Sequence, residues 1–246
     1  MPRFHVLLAS HNRPAGVKRA AFSVLGQSDE NWVLHVADDS AGEAREEIED
    51  FFQNLCLRDA RVDYARVETP AGLCPPSHKA NHFIRGLDFG PHDWLSFLTD
   101  DSWYAPDRFE NFARAIGREP MVKAFYGNHL VLNRGSKHLP HGTYALWRQA
   151  RDVMPSELLQ HNWIDSSALV HQADVLAPDL PTWSESLDDI LNADWRLWHR
   201  IVQRTRILPV DHLVSVEEWG GDRLHENTLD QLKVQFGGMP AEKGAV

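Results

Sequence analysis

Apolar and polar residues follow one another along this chain with two alternating periods. Phe4 to Ala9 is a short apolar run of strand character, and Ser10-His11-Asn12-Arg13-Pro14 after it is a polar turn. Val17, Ala20, Ala21, Val24 and Leu25 recur at helical spacing, with Pro14 suited to the first turn and Gly26 near the stop. Trp32 to Ala37 predicts a second strand that ends at Asp38-Asp39-Ser40. Glu43 to Leu55 predicts a helix with acidic residues early and Ile48, Phe51, Phe52 and Leu55 along one side. Arg61 to Val67 alternates as a third strand, Thr69 to Pro76 is a loop rich in Pro and Gly, and Ser77 to Leu87 predicts a helix. The run beginning at Trp94 is a fourth strand, bounded by Gly90-Pro91 and Pro106, and it stops at Thr99-Asp100-Asp101-Ser102.

Strand and helix thus repeat three times before the second acidic pair. That alternation predicts a mostly parallel α/β sheet flanked by helices. Asp is depleted within strands, so both pairs are expected just past strand ends. In open α/β sheets ligands bind beyond the carboxyl ends of the strands, and one edge of a parallel sheet collects those ends. Two carboxylates held there can bind a divalent cation, which can in turn hold a diphosphate. For Asp100 and Asp101 the alternative is an Asx turn or a cap on the helix from Asp107. Asp38 and Asp39 can accept a hydrogen bond from a base N–H or a ribose hydroxyl, or cap the helix that follows.

The second half is less regular. Asp107 to Ile116 predicts a helix, Met121 to Leu132 one or two strands, and Asn133 to His141 a loop able to cover a site. Trp163 to Val170 is strand-like with Asp165 inside it, and Ile207 to Val216 is a late strand. Leu187, Ile190, Leu191, Trp198, Ile201 and Val202 form a helical stripe, and Asp194 falls on it, one turn from Ile190 and one from Trp198. A carboxylate there is desolvated or faces a cleft. Desolvation raises its pKa and suits it to general-base work. Alternatively, Asn192-Ala193-Asp194 begins a new helix with Asp194 near its N-terminus. The tail from Gly237 is small and polar.

Composition narrows the classes. At 246 residues the chain can form one large α/β domain or two small ones, and no repeat or linker divides it. No apolar run approaches the ~20 residues of a membrane span. The first residues lack the features of a signal peptide, so a cytoplasmic protein with Cys56 and Cys74 reduced is expected. A formal net charge of −10 disfavours nucleic acid as a partner. Walker, GxGxxG, GxSxG and HExxH patterns are missing, which argues against P-loop ATPases, dinucleotide enzymes with that fingerprint, α/β-hydrolases and a His-based zinc site. Lys79 and Arg13 can meet phosphates or simply be solvated. His225 stands in a polar C-terminal stretch able to fold over a metal site. His225 and His171 also fit surface or structural roles. The nine Trp offer flat faces for sugar rings as well as packing.

Together these stretches resemble the GT-A glycosyltransferases of family 2, the inverting nucleotide-sugar transferases, and within them the bacterial spore-coat polysaccharide branch. The matching segments are Val6 to Arg13, Ser23 to Ser28, Ala37 to Ser40, Thr99 to Arg108, Ile164-Asp165 through Val170-His171, and Ala193-Asp194 into Trp198 and Arg200. They occur in family order and cover roughly residues 4–202. The resemblance implies a single GT-A domain, with residues 1–101 as the nucleotide-binding half and 102–246 as the half that binds acceptor and supplies the base. It implies that Asp39 reads a uracil or thymine base, that Ala9 and Ser10 line the base pocket, and that Asp100 lies near the ribose. Lys79 is the candidate for a basic residue at the base. Asp101 would hold Mn²⁺ or Mg²⁺, with His225 a weaker candidate ligand, and Asp194 would be the catalytic base. The partners implied are a UDP- or dTDP-linked sugar and an acceptor hydroxyl. The chain departs from the family where Thr99-Asp100-Asp101 replaces Asp-x-Asp and where Ala193 replaces an acidic residue, and it matches poorly after Ile207. Two rivals remain: a sugar-nucleotide nucleotidyltransferase, for which Ser10 to Pro14 is a poor glycine-rich loop, and an inactive sugar-nucleotide or glycan-binding module, against which the retained carboxylates speak.

Overall fold

The computed structural model of the protein describes residues 1–134, 145–152, 155–158, 160, 162–176 and 183–220. Most of the expected 133–141 loop, His225 and the tail from Gly237 lie outside them. The first half alternates as its pattern predicts: β1 (Arg3–Ser10), α1 (Pro14–Leu25), β2 (Trp32–Asp38), α2 (Gly42–Arg58), β3 (Val62–Arg66), α3 (Pro75–Gly86) and β4 (Asp93–Thr99). The second half adds β5 (Ser102–Tyr104), α4 (Arg108–Arg118), β6 (Ala124–Asn133), β7 (Ala145–Arg148), α5 (Pro155–Leu158), β8 (Leu169–Gln172), α6 (Ala193–Val202) and β9 (Ile207–Trp219).

Among the described residues nine strands form one sheet, in the order β3-β2-β1-β4-β8-β6-β9-β5 with β7 paired to β6. The first four strands are parallel throughout. From β4 onward antiparallel pairs enter, at β4–β8, β6–β8, β6–β7 and β5–β9, while β6 and β9 run parallel. Alternation along the strands separates two apolar layers. Phe4, Val6, Leu8, Trp94 and Leu98 pack with α1, α2 and α4 on one face. Leu7, Leu95 and Phe97 pack with α3 and α6 on the other. No described helix is long and apolar enough to cross a membrane.

Two segments differ from the pattern reading. The stripe from Leu187 to Val202 is not one helix. A short 3-10 turn at Leu187–Asp189, capped by Ser186 Oγ, precedes α6, and Asn192 at φ −137° breaks the path between them. The stretch holding Asp165 is not a continuous strand either. Asp165 Oδ1 accepts hydrogen bonds from Ser167 N at 2.8 Å and Ser167 Oγ at 2.6 Å, closing a 3-10 turn at Ser166–Ala168 ahead of β8. A short polar side chain bonding its own backbone in this way competes with strand pairing.

The two halves are tied by Arg108, which is fully buried. Its guanidinium donates to Ser96 Oγ on β4 at 3.0 Å, to Ser167 O at 2.5 Å, to Leu169 O on β8 at 3.2 Å and to Val214 O on β9 at 3.3 Å. It also stacks 3.9 Å over the Tyr104 ring. A second close contact sets the edge of the sheet. A Cβ on Gly16 of α1 would fall 2.1 Å from the Asp100 carbonyl oxygen, so only glycine lets the helix sit against this strand end. Gly16→Ala is therefore expected to push α1 off the strand end and destabilise the fold by about 1–3 kcal/mol, the usual cost of overpacking. Denaturant unfolding checks this, and an unchanged midpoint would show that the contact is not tight.

Candidate active site

The β1–β2 and β1–β4 registers set Ser10 beside Asp38 and Ala9 beside Thr99. Both acidic turns therefore leave the sheet on either side of the β1 end, as a parallel edge requires. Here a cavity of about 570 Å³ opens, a size typical of small-molecule sites. Ala9, Ser10, Arg13, Lys79, Asp100 and Asp101 line one part of it, and Asp165, Asp194, Glu217, Trp163, Trp183 and Trp219 line the rest.

The two members of the first pair do different work. Asp38 is fully buried and bound to Arg66 at 2.8 Å and to Ser40 Oγ at 2.5 Å, a structural role. Asp39 lies 2.5 Å from Lys79 Nζ, 2.8 Å from His11 Nδ1 and 3.1 Å from Thr69 Oγ1. Burial would raise its pKa, but the bonds from His11 and Lys79 and the charge of Lys79 outweigh burial and hold the carboxyl below the ordinary range. Asp39 stands behind the cavity wall. Lys79, 2% exposed, is the residue that reaches the wall, and it also donates to Ser10 O at 2.7 Å.

The second pair faces the cavity directly. Asp100 Oδ2 accepts from His11 N at 2.9 Å, and its Oδ1 lies 3.3 Å from Arg13. Burial first, then the neighbouring Asp101 charge, pushes this carboxyl up to about 6, against the pull of Arg13. Asp101 Oδ1 accepts from Thr99 Oγ1 at 2.6 Å and from Ser102 Oγ at 3.3 Å, while Oδ2 lies 3.4 Å from Arg13. Asp101 fits a hard divalent cation: an oxygen donor on the cavity wall whose orientation two hydroxyls fix from below.

Asp194 occupies the second position of α6, so it both begins a helix and faces the cavity. Its Oδ1 accepts from Asn162 Nδ2 at 3.0 Å and from Trp195 N at 2.7 Å. The carboxyl touches the cavity yet is set deep among protein atoms. Burial, then the charge of Asp165, pushes it up to about 7, despite both hydrogen bonds. The geometry thus brings Ala9, Ser10, Lys79, Asp100, Asp101 and Asp194 onto one cavity, with Asp39 one layer behind.

Pattern reading did not assign a role to Asp165 or to the end of β9, which pairs with β5 beside Asp101 (Ser102 opposite Glu217). Asp165 caps a turn, and Glu217 and Trp219 come from the end of β9. His129, on β6, belongs to a smaller neighbouring cavity of about 390 Å³ that shares Arg148, Asn162, Trp163, Ile164 and Asp165 with the larger one. The only available signal was a charged residue at an inward position of an apolar strand. Trp183 is fixed by the exchange of hydrogen bonds between its backbone and the Asn81 side chain on α3, and its ring meets Phe97 edge-on at 4.7 Å. Its position makes it a flat wall as well as a core residue.

The sequence profile described as Glycosyl transferase family 2 matches residues 5–163. Protein CgeD of Bacillus subtilis (strain 168) is 24% identical over an alignment of 218 residues that covers 85% of this chain and 48% of that protein. The chain therefore spans about half the length of this curated relative. In fold it is similar to the crystal structure of S. aureus TarS 1–349 in complex with UDP-GlcNAc, at a TM-score of 0.66 and 13% identity over 90% of this chain and 60% of that one. The same protein in complex with UDP gives 0.61 and 14% over 95% and 64%.

The raised Asp194 carboxyl has a measurable consequence for stability. A folded-state pKa above the unfolded value means that the folded chain holds the proton more tightly. Stability from this group is complete below the unfolded pKa of about 4 and is lost as pH rises through about 7. Asp194→Asn removes that loss. It is expected to raise the melting temperature by several degrees at pH 8 and to leave it nearly unchanged at pH 4. An equal shift at both pH values would mean that burial does not perturb the group.

Proposed function

The chain belongs to glycosyl transferase family 2, and we propose that it transfers a hexose-type sugar from a UDP- or dTDP-linked donor to an acceptor hydroxyl, with inversion at the anomeric carbon. The observation that carries this reading is the placement of Asp194. A carboxylate with an elevated pKa shares one cavity with an acidic pair at the strand edge and with the Ser10–Lys79 wall. A likeness of fold to a protein crystallised with UDP-GlcNAc and with UDP supports a nucleotide-sugar donor.

Residues 1–101 take the nucleotide. Ala9 and Ser10 line the base pocket, Lys79 presents the charge network of Asp39 to the base, and Asp100 faces the ribose. Asp101 would hold Mn²⁺ or Mg²⁺, which when bound neutralises charge growing on the departing diphosphate. Residues 102–246 build the acceptor side. The Asn162 and Trp195 bonds both go to Oδ1, and the carboxyl lines the cavity where an acceptor would sit. Asp194 takes the proton from the acceptor hydroxyl, whose oxygen forms the new bond to the anomeric carbon. The bond from that carbon to the diphosphate breaks on the opposite face and leaves its electron pair on the nucleotide. Trp163, Trp183 and Trp219 offer apolar faces to the sugars.

Four outcomes test this reading. Asp194→Asn should lower kcat by about 10²–10⁴-fold, the usual worth of a general base, with donor affinity measured by calorimetry unchanged. Near-normal turnover would remove Asp194 from the role. Asp101→Ala should abolish the Mn²⁺-dependent part of UDP binding and leave metal-free binding weak but present. With an ionised base required and its carboxyl near 7, log(kcat/KM) should fall with unit slope below about pH 7. A profile flat down to pH 5 would contradict the assignment. Release of nucleoside diphosphate, not pyrophosphate, separates transfer from nucleotidyl chemistry.

A further inference from the structure

We propose that His129, Asp165 and Glu217 form a second divalent-cation site, on the acceptor side of the cavity and distinct from the donor ion at Asp101. One ligand atom from each of the three lies within 4.8 Å of the others. His129 Nε2 and Glu217 Oε2 are 3.2 Å apart. Two ligands on one ion at about 2.0–2.2 Å stand at this spacing, so an ion can replace the hydrogen bond with little movement.

The three residues come from three parts of the chain, and the fold prepares each one. β6 and β9 pair with register shifts between Gly127 and Asn128 and between Asn128 and His129. Below that bulge His129 stands opposite Ser215, on the same face as Glu217 two residues along. Each ligand also has an orienting partner. His129 Nδ1 lies 2.9 Å from Ser215 Oγ, an arrangement that, with the proton on Nδ1, turns the Nε2 lone pair toward Glu217. Trp219 Nε1 donates to Glu217 Oε2 at 2.7 Å. Asp165 Oδ1 takes the two Ser167 bonds already described. Such outer partners fix ligand orientation in metal sites.

The ligands are accessible although His129 and Glu217 are 2% and 4% exposed. Glu217 lines the larger cavity, His129 the smaller, and Asp165 both. An ion here can therefore complete its shell with water or an acceptor oxygen from either side. One imidazole with two carboxylates favours Mn²⁺ or another first-row transition ion over Mg²⁺, which prefers oxygen alone. Asp101 is not among the three, and a Mn²⁺ bound only through Asp101 carries no imidazole nitrogen.

That nitrogen gives the experiment its readout. Mn²⁺ alone, without nucleotide, is titrated into the full chain, and spin-echo spectroscopy tests for coupling to one imidazole nitrogen. Wild-type protein and Asp101→Asn should both show a nitrogen-coupled Mn²⁺, and His129→Gln should not. Ser215→Ala keeps all three ligands and removes only the His129 partner. It should weaken Mn²⁺ binding roughly 10–100-fold, and it remains informative where His129→Gln does not fold. Wild-type protein without nitrogen-coupled Mn²⁺, persistence of the coupling in His129→Gln, its loss in Asp101→Asn, or unchanged affinity in Ser215→Ala would each overturn the proposal. The donor-transfer reading is tested separately by UDP binding in Asp101→Ala, so either can fail alone.

Discussion

The buried guanidinium of Arg108 is the constraint on which the site depends. Taking an ion out of water costs several kcal/mol unless hydrogen bonds replace the lost hydration. The two terminal nitrogens of Arg108 recover them from Ser96, Ser167, Leu169 and Val214, while Nε has no partner among the described residues, and the guanidinium stacks on Tyr104 and Phe112. Burial still brings its pKa down to about 10, which leaves the cation charged at neutral pH. The four acceptors belong to β4, to the turn after Asp165, to β8 and to β9. One side chain thus fixes where the second half of the chain meets the first. The Ser167 and Val214 carbonyls on the Arg108 guanidinium hold the Asp165 turn and β9 in place, and β9 also pairs with β5, which sets Glu217 opposite Ser102 beside the acidic pair. Tyr104 joins the same knot, since its hydroxyl meets Ser96 Oγ and Phe97 O at 2.7 Å each.

Around that knot the cavity gathers five carboxylates, from Asp100, Asp101, Asp165, Asp194 and Glu217. Like charges in a partly desolvated space repel, and the fold manages each one differently. Arg13 spans Asp100 and Asp101. Thr99 and Ser102 support Asp101, while Asn162 and a helix N–H hold Asp194. Residual strain appears as the raised pKa values of Asp100 and Asp194. Groups pushed apart in this way are characteristic of sites selected for chemistry over stability. An acidic cavity suits cations, and through them the diphosphate of a donor.

Much of this was legible in the residues. The strand–helix alternation through Thr99, and the acidic pairs at two strand ends, follow from local periodicity and from the exclusion of Asp from strand interiors. Asp194 stood out as a carboxylate on an apolar stripe, although that stripe spans a 3-10 turn and a separate helix. The division of labour between Asp38 and Asp39 was not legible, because it depends on Arg66 reaching one and Lys79 the other across the sheet. Lys79 could be named as a candidate basic residue of the site, but its burial could not, since that requires Ser10 O and Asp39 together.

The sequence by itself determined the parallel first half, the edge at which the acidic pairs gather, and the residue types offered there, because periodicity and turn chemistry are local properties. Only the tertiary structure decided which distant groups face that edge. Asp165, Glu217 and His129 are separated by long stretches of chain and meet through the Arg108 knot and the bulged pairing of β6 with β9. Local spacing carries no record of such a meeting. It arises from long-range hydrogen bonds whose partners are backbone carbonyls, and every residue type has one.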